Sequence, residues 1–217
     1  NDATPSCLIP AGDCLISLMR TTMNQENQTD WQTSQCQVSL YDSCYNSVST
    51  RLLTMGQIIG FVRSDAYEQF IRDLGAIIDE HGLKSEQYRE QKQDMFCFSV
   101  YGSYHDIERR AYDRETGKIS QIKIYNQIGH GDIDGLEIQQ AIDLRARLSE
   151  CLFIAWTFIS PSQRGVKFGV RTNANLKNHI EHFQQIQEYF SKYLNLPIEK
   201  FDLKVKDLSR LCFLSHD

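Results

Sequence analysis

CLFIAWTFISPSQRGVKFGVR, running from Cys151 to Arg171, is the stretch whose reading decides the fold. Its first part, Cys151 to Ile159, is almost unbroken apolar sequence, as expected for a strand covered on both faces. Its last part alternates. Val166, Phe168 and Val170 fall on one face and Lys167, Gly169 and Arg171 on the other, the period of two that a strand imposes. Between them, Ser160 to Gly165 concentrates serine, proline, arginine and glycine, residues that favour turns.

The same logic extends outward. Ile138, Ala141, Ile142, Arg145 and Leu148 recur at helical spacing within 135–150, and a strand over Ile119 to Ile128 precedes them, after a turn at Arg114 to Lys118. Downstream, Ile180, Phe183, Ile186, Tyr189, Phe190 and Tyr193 mark a long amphipathic helix ending before Pro197. Lys200 to Val205 and Leu211 to Ser215 read as the last strands. Strand, helix, strand, turn, strand, helix, strand predicts an α+β layer fold. In it a mixed or antiparallel sheet carries packed helices, like an RNA-recognition-motif core.

Before this core the pattern is weaker. Gln37 to Tyr41 alternates like a short strand, and Ser49 reads as the cap of a helix carrying Leu52, Leu53, Ile58 and Ile59. Ser64 opens a second helix, with Phe70, Ile71, Leu74, Ile77 and Ile78 on one stripe and Gly82 at its end. Residues 83–94 are polar, a loop or short helix, and Met95 to Tyr101 reads as a strand. The expected organisation is a leader or N-terminal arm over 1–35, rich in Asn, Gln, Ser and Thr, then one domain over 36–217. Within that domain a smaller α/β part (36–94) precedes a catalytic-type core (95–217).

At 217 residues, with 41% hydrophobic and 11% aromatic residues, the chain can bury a core. No apolar run approaches the roughly 20 residues of a membrane helix, and Asn1 to Arg20 lacks a basic region followed by an apolar one. A soluble, cytoplasmic protein without a membrane partner is expected. Among the 7 cysteines, Cys97, Cys151 and Cys212 lie in apolar runs, where thiols act as small hydrophobes. Cys7, Cys14, Cys36 and Cys44 are spaced too widely for a zinc finger or ribbon. A formal net charge of −5 argues against avid nonspecific binding to long nucleic acid. It leaves room for local basic clusters at Arg164, Lys167 and Arg171 and at Lys204, Lys206 and Arg210.

Three segments carry candidate chemistry. In Gly131-Asp132-Ile133-Asp134, period-two geometry puts both carboxylates on one face with Ile133 turned to the core. Convergent carboxylates repel unless a divalent cation neutralises them. An ordinary Asp-x-Asp-Gly turn through Gly135 is the other reading. An EF-hand is excluded, because Leu136 and Glu137 occupy the fifth and sixth loop positions. Ser160, Ser162, Arg164 and Gly165 could form an anion-holding nest leading to Lys167, or a plain hairpin with surface charges. The Walker spacing is absent. Asp202 lies in strand-like sequence, Asp207 could cap the following turn, and Arg210 precedes an apolar run.

Taken in order, Gly-Asp-Ile-Asp, Phe-Ile-Ser-Pro-Ser-x-Arg-Gly-Val-Lys and Asp-Leu-Ser-Arg-Leu-Cys-Phe-Leu-Ser-His-Asp resemble the primase-like N-terminal domain of the virulence-associated protein E (VirE) group. That group is similar to the archaeo-eukaryotic primase-polymerase superfamily. The resemblance covers about Cys36 to Asp217 and is strongest from Ile128 onward. It implies metal-dependent nucleotidyl transfer with two Mg²⁺ or Mn²⁺ ions. Asp132 and Asp134 match the metal pair. Asp202 matches the third ligand, with Asp207 competing for that role. Ser160, Ser162, Arg164, Gly165 and Lys167 match the nucleotide turn, and Arg210 the arginine beyond it. Gln163 stands where the group usually carries glycine, and Lys167 where many polymerising members carry histidine. The implied partners are a nucleoside triphosphate, a single-stranded DNA template and a helicase-type ATPase, in replication of a mobile element. The alternative is a noncatalytic module that binds single-stranded DNA or nucleotide and positions a replicative helicase. A rolling-circle nickase is disfavoured, because His130 lacks the partner histidine two residues away.

Overall fold

The structure, a computed structural model, describes residues 36–104, 108–109 and 122–217. Its elements are β1 (Gln37–Tyr41), β2 (Arg51–Thr54), α1 (Met55–Val62), α2 (Glu68–His81), α3 (Glu86–Gln93), β3 (Cys97–Ser99), β4 (Gly102–Ser103), β5 (Ile124–Tyr125), β6 (Ile128–Asp134), α4 (Ile138–Ser149), β7 (Ile154–Ile159), β8 (Gly165–Arg171), α5 (His179–Leu194) and β9 (Leu211–Phe213). The fold is α+β, with antiparallel sheets and packed helices.

The hairpin read from Cys151 to Arg171 is β7 and β8, and β6 adds beside β8 to give the order β6-β8-β7, antiparallel throughout. One face of this sheet offers Ile133, Val166, Phe168 and Val170 to Ala141, Leu144 and Leu148 of α4 and to Ile186, Phe190 and Leu194 of α5. The other face sends Trp156 and Phe158 into a second core, shared with Met55, Ile58 and Val62 of α1, with Phe98 of β3 and with Cys212 of β9. Each such side chain contributes about 1.5–3 kcal/mol when fully buried. Coverage on both faces is why β7 reads as continuous apolar sequence.

The second core belongs to the sheet β2-β1-β3-β9, also antiparallel. The C-terminal β9 thus closes a sheet that begins at β1. α2 and α3 pack outside it around Ile71, Leu74, Ile78, Tyr88 and Met95.

Several expected elements differ. Leu52 and Leu53 lie in β2, paired with Ser39 and Val38, and not in a helix. The helix starts at Met55, where Thr54 and Gln57 form a reciprocal capping box. Ser64 does not cap α2: its hydroxyl donates back to the Phe61 carbonyl, and a short 3₁₀ turn intervenes. The stripe Ile71, Leu74 and Ile78 is buried as expected, and α2 stops at Gly82 with φ 90°. Residues 83–94 contain α3, capped by Ser85. Lys200 to Val205 is not a strand. Asp202 accepts from the Lys204 amide and opens a 3₁₀ turn, leaving one bridge, Phe201 to Ile133, beside β6. An Asx cap thus outcompetes alternation there. The arm over 1–35 and the turn at Arg114 to Lys118 lie outside the described residues.

Candidate functional site

β6 places His130, Asp132 and Asp134 on the face turned away from α4 and α5. Register sets Asp132 opposite Lys167 and Asp134 opposite Gly165. Asp132 is therefore inside a strand and not in a turn, which begins only at Gly135, with φ 68°. The Lys167 ammonium donates to the Asp132 carboxylate, and the two side chains keep 6% and 8% of their surface. The plain-hairpin reading of this turn makes Lys167 a surface charge, and the structure does not bear that out. Lys167 is buried because the second core covers that face. The neighbouring Gly169 lets the Trp156 indole lie against the strand, and a Cβ there would overlap the ring.

Electrostatics follow from this enclosure. Burial pushes the Asp132 carboxyl up, but the Lys167 ammonium outweighs it and holds the group below its ordinary value. Burial works against the Lys167 charge, yet the Asp132 carboxylate keeps that lysine well above its usual range. Asp134, exposed at the strand end, is pushed up by partial burial and by the charge of Asp132. The carboxylates therefore repel, and one lysine neutralises only part of their charge.

The Ser160 to Gly165 turn reaches the same edge. Gly165 is the point of close approach: a Cβ there would meet the Ile133 carbonyl, Asp134 Oδ1 and Ser160 Oγ. The hydroxyls of Ser160 and Ser162 are 3.0 Å apart. The expected backbone nest is largely absent. The Ser160 amide donates to the Gly165 carbonyl, that of Gln163 to Ser160, and that of Arg164 to the Ser162 hydroxyl, so the turn's donors close the hairpin itself. Gln163 takes φ 60°, the left-handed conformation that favours glycine. It lines a groove of about 360 Å³ together with Arg72, Gly75, Ile159 and His216. Arg164 points outward to Glu137 at 3.4 Å.

Asp202 docks on β6 through its amide, which donates to the Asp132 carbonyl at 2.8 Å. Its carboxylate lies 3.6 Å from Arg210 and bears electrostatically on Asp134. Asp207 instead closes its own turn, accepting from the amide and hydroxyl of Ser209. Of the two assignments, Asp202 is the one brought toward the aspartate pair.

Sequence reasoning missed several neighbours. Tyr88 and Lys92 of α3 interact electrostatically with Asp134 and Lys167. The available signal was one aromatic and one lysine at i, i+4 in an otherwise polar helix. Cys212 faces the Asp132–Lys167 pair, and burial raises its thiol to about 12. His130 is buried between Tyr101 and Trp156, and neither ring nitrogen has a hydrogen-bond partner among the described residues.

Burial lowers the His130 value to about 3, and His179, hydrogen-bonded to Tyr125 and the Lys206 carbonyl, is lowered in the same sense. A depressed folded value means stability is intact above the unfolded pKa of roughly 6.5 and is lost as pH falls toward the folded value. Urea midpoints are therefore expected to fall between pH 6.5 and 3, with up to about 5 kcal/mol attributable to His130. His130→Met should flatten that slope. An equally steep slope in the variant would remove His130 as its source.

Among the described residues, no three His, Cys, Asp or Glu side chains form a metal-binding group. Mg²⁺, however, is commonly held by one or two carboxylates plus substrate phosphates. The donor set suits that mode. Asp132 Oδ1 is buried with no hydrogen-bond partner, and Asp134 lies beside it with a raised pKa. Asp132 and Asp134 would hold the ion, with Asp202 closest to joining them.

Fold and site together define an α+β domain that buries a carboxylate–lysine pair at the meeting of two strands. The chain belongs to the BT4734-like family: the model of that family's N-terminal domain matches residues 91–217, which include Lys92 and every site residue through Arg210. No curated protein and no solved structure matches it. Among the described residues, no helix is long and apolar enough to cross a membrane.

Proposed function

We propose that this domain binds a nucleoside triphosphate with Mg²⁺ or Mn²⁺ and carries out primase-polymerase-like nucleotidyl transfer, in the cytoplasm, during replication of a mobile element. The observation that carries this reading is convergence. Asp132 and Asp134, the Ser160–Gly165 turn with Lys167, and Asp202 with Arg210 are far apart in sequence and meet at one end of β6.

In the reaction the 3′-hydroxyl loses its proton to solvent as its oxygen attacks the α-phosphorus, the bond from that phosphorus to the oxygen bridging the β-phosphate breaks, and pyrophosphate leaves. Divalent ions, when held by Asp132 and Asp134, would supply charge neutralisation for the phosphates. Asp132 and Asp134 supply the anionic oxygens for that binding. Lys167 offers a point charge to phosphate, Ser160 and Ser162 offer hydroxyl donors, and Arg210 adds a second cation. A single-stranded DNA template and a helicase-type ATPase are the partners of this reading.

One observation favours a second reading. The Lys167 ammonium already engages Asp132, as in a noncatalytic module that binds single-stranded DNA or nucleotide and positions a helicase. Incorporation of labelled dNTPs on primed and unprimed single-stranded DNA, with Mg²⁺ or Mn²⁺, separates the two. Transfer is expected, with Asp132→Ala and Asp134→Ala each lowering it at least about 10²–10³-fold, the several kcal/mol a metal site supplies. DNA binding by the wild type without incorporation under either metal would favour the second reading.

A further inference from the structure

α3 is short and polar, yet one stripe of it faces the site. Tyr88 is its buried residue, and Lys92 follows one turn later, the spacing that puts both on the same face. The Ser85 hydroxyl accepts from the Tyr88 amide, and the Met95 amide donates to the Lys92 carbonyl, so both ends of the helix are tied down. The Lys92 ammonium stands 5.7 Å from the Tyr88 ring centroid and 5.0 Å from that of Phe213, within cation–π range. Phe213 belongs to β9, next to Cys212, which faces Lys167 and Asp132. Two aromatic faces thus flank the lysine ammonium, on which the charges of Asp132, Asp134 and Lys167 also bear.

The charge arrangement is unusual for a purely structural lysine. Among the described residues, Lys92 has no carboxylate partner and its head makes no hydrogen bond. Asp132 is engaged by Lys167, and Asp202 by Arg210. Burial pushes Lys92 down and the like charge of Lys167 pushes it further, while the charges of Asp132 and Asp134 pull it part of the way back. The Tyr88 hydroxyl is buried and interacts with the Ser162 side chain, which brings α3 against the turn. Cations gathered beside the hydroxyls of Tyr88 and Ser162 suit an anion carrying several charges and several acceptor oxygens.

We propose that the Tyr88–Lys92 face of α3 is the outer wall of the nucleotide site, with Lys92 binding the β- and γ-phosphates and the Tyr88 hydroxyl donating to a phosphate oxygen. This inference rests on the nucleotide-binding reading above and extends the site to a helix outside the strands that carry the aspartates. Lys92 is a substrate-binding residue: it selects triphosphate over monophosphate and orients the leaving group.

Isothermal titration calorimetry of the full chain with dATP, dADP and dAMP, in Mn²⁺ and again in EDTA, tests this. Lys92→Met leaves an unbranched apolar side chain beside Tyr88 and Phe213 and removes the charge; Lys92→Gln serves in its place if the methionine variant melts early. In Mn²⁺, dATP affinity is expected to fall at least about 10-fold, the scale of a lost hydrogen bond to a charged group. Binding of dAMP should stay within about twofold, and Lys92→Arg should retain most dATP affinity. Tyr88→Phe is expected to weaken dATP about threefold or more. Unchanged dATP binding in Lys92→Met and Lys92→Gln, or equal weakening of all three nucleotides, would overturn the assignment while leaving the nucleotide reading standing. A wild-type chain that binds none of the three in either condition would remove both.

Discussion

Lys167→Met is expected to lower the unfolding free energy by about 3–5 kcal/mol, the range for breaking a buried ion pair from one side. The lysine stem crosses a covered face between Trp156 and Phe158 on one hand and β6 on the other, and methionine can fill much of that volume. Most of the loss therefore comes from stranding the Asp132 carboxylate, whose other oxygen already has no hydrogen bond. Asp132→Asn/Lys167→Met removes the stranded charge and should be more stable than Lys167→Met alone, although it carries one more substitution. Urea denaturation at 25 °C checks this, and a double variant as unstable as the two single losses added together would refute it.

The same variant should invert a pH dependence. In the wild type, Asp132 is held below its ordinary value, so its contribution is present above the unfolded carboxylate pKa and lost as pH falls. Without Lys167, burial dominates and the folded value rises above the unfolded one. The group then favours the folded state at low pH, and that favour is lost as pH rises through the new value. The deficit of Lys167→Met relative to wild type is accordingly expected to be smaller near pH 4.5 than near pH 7.5.

Legibility in the sequence followed the range of the forces involved. Alternation over Val166 to Arg171 was enough to assign faces, and the apolar run to Ile159 was enough to show that β7 is covered twice. Neither could say that Lys167 is buried, because solvent exposure of a face depends on whether a second sheet lands on it. The strand β9 that completes the covering sheet is only three residues, Leu211 to Phe213. Asp202 shows the opposite failure. Phe201, Leu203 and Val205 alternate perfectly, yet Phe201 is buried from an isolated bridge and Val205 from a 3₁₀ turn, while Leu203 is exposed. An Asp side chain capping its own turn decided that segment, after the left-handed Asn195 had ended the preceding helix. Tyr88 and Lys92 were missed for a different reason. Their role lies in what α3 covers, and a polar eight-residue helix carries no hydrophobic stripe long enough to betray it.

Phe168→Ala is expected to cost about 3–5 kcal/mol, because its ring is wholly buried, lies 5.0 Å from the Phe190 centroid and covers the strand beside Asp132. The ring occupies space that only glycine leaves open: a Cβ at Gly131, directly across the strand pair, would overlap the ring. Gly131→Ala alone should therefore destabilise by about 1–3 kcal/mol through overpacking. Combined, the substitutions cannot be additive. The alanine methyl at 131 would enter part of the void left by Phe168, so Gly131→Ala/Phe168→Ala should lose less than the sum of the single losses, with a coupling of about 0.5–3 kcal/mol. The cycle also bears on function. Gly131 and Phe168 sit immediately beside Asp132 and Lys167, whose side chains leave the opposite face. A sheet shifted by the new methyl should move that pair even though no charged group has been touched. Additive losses in urea unfolding would mean that the ring and the glycine do not share the space described here.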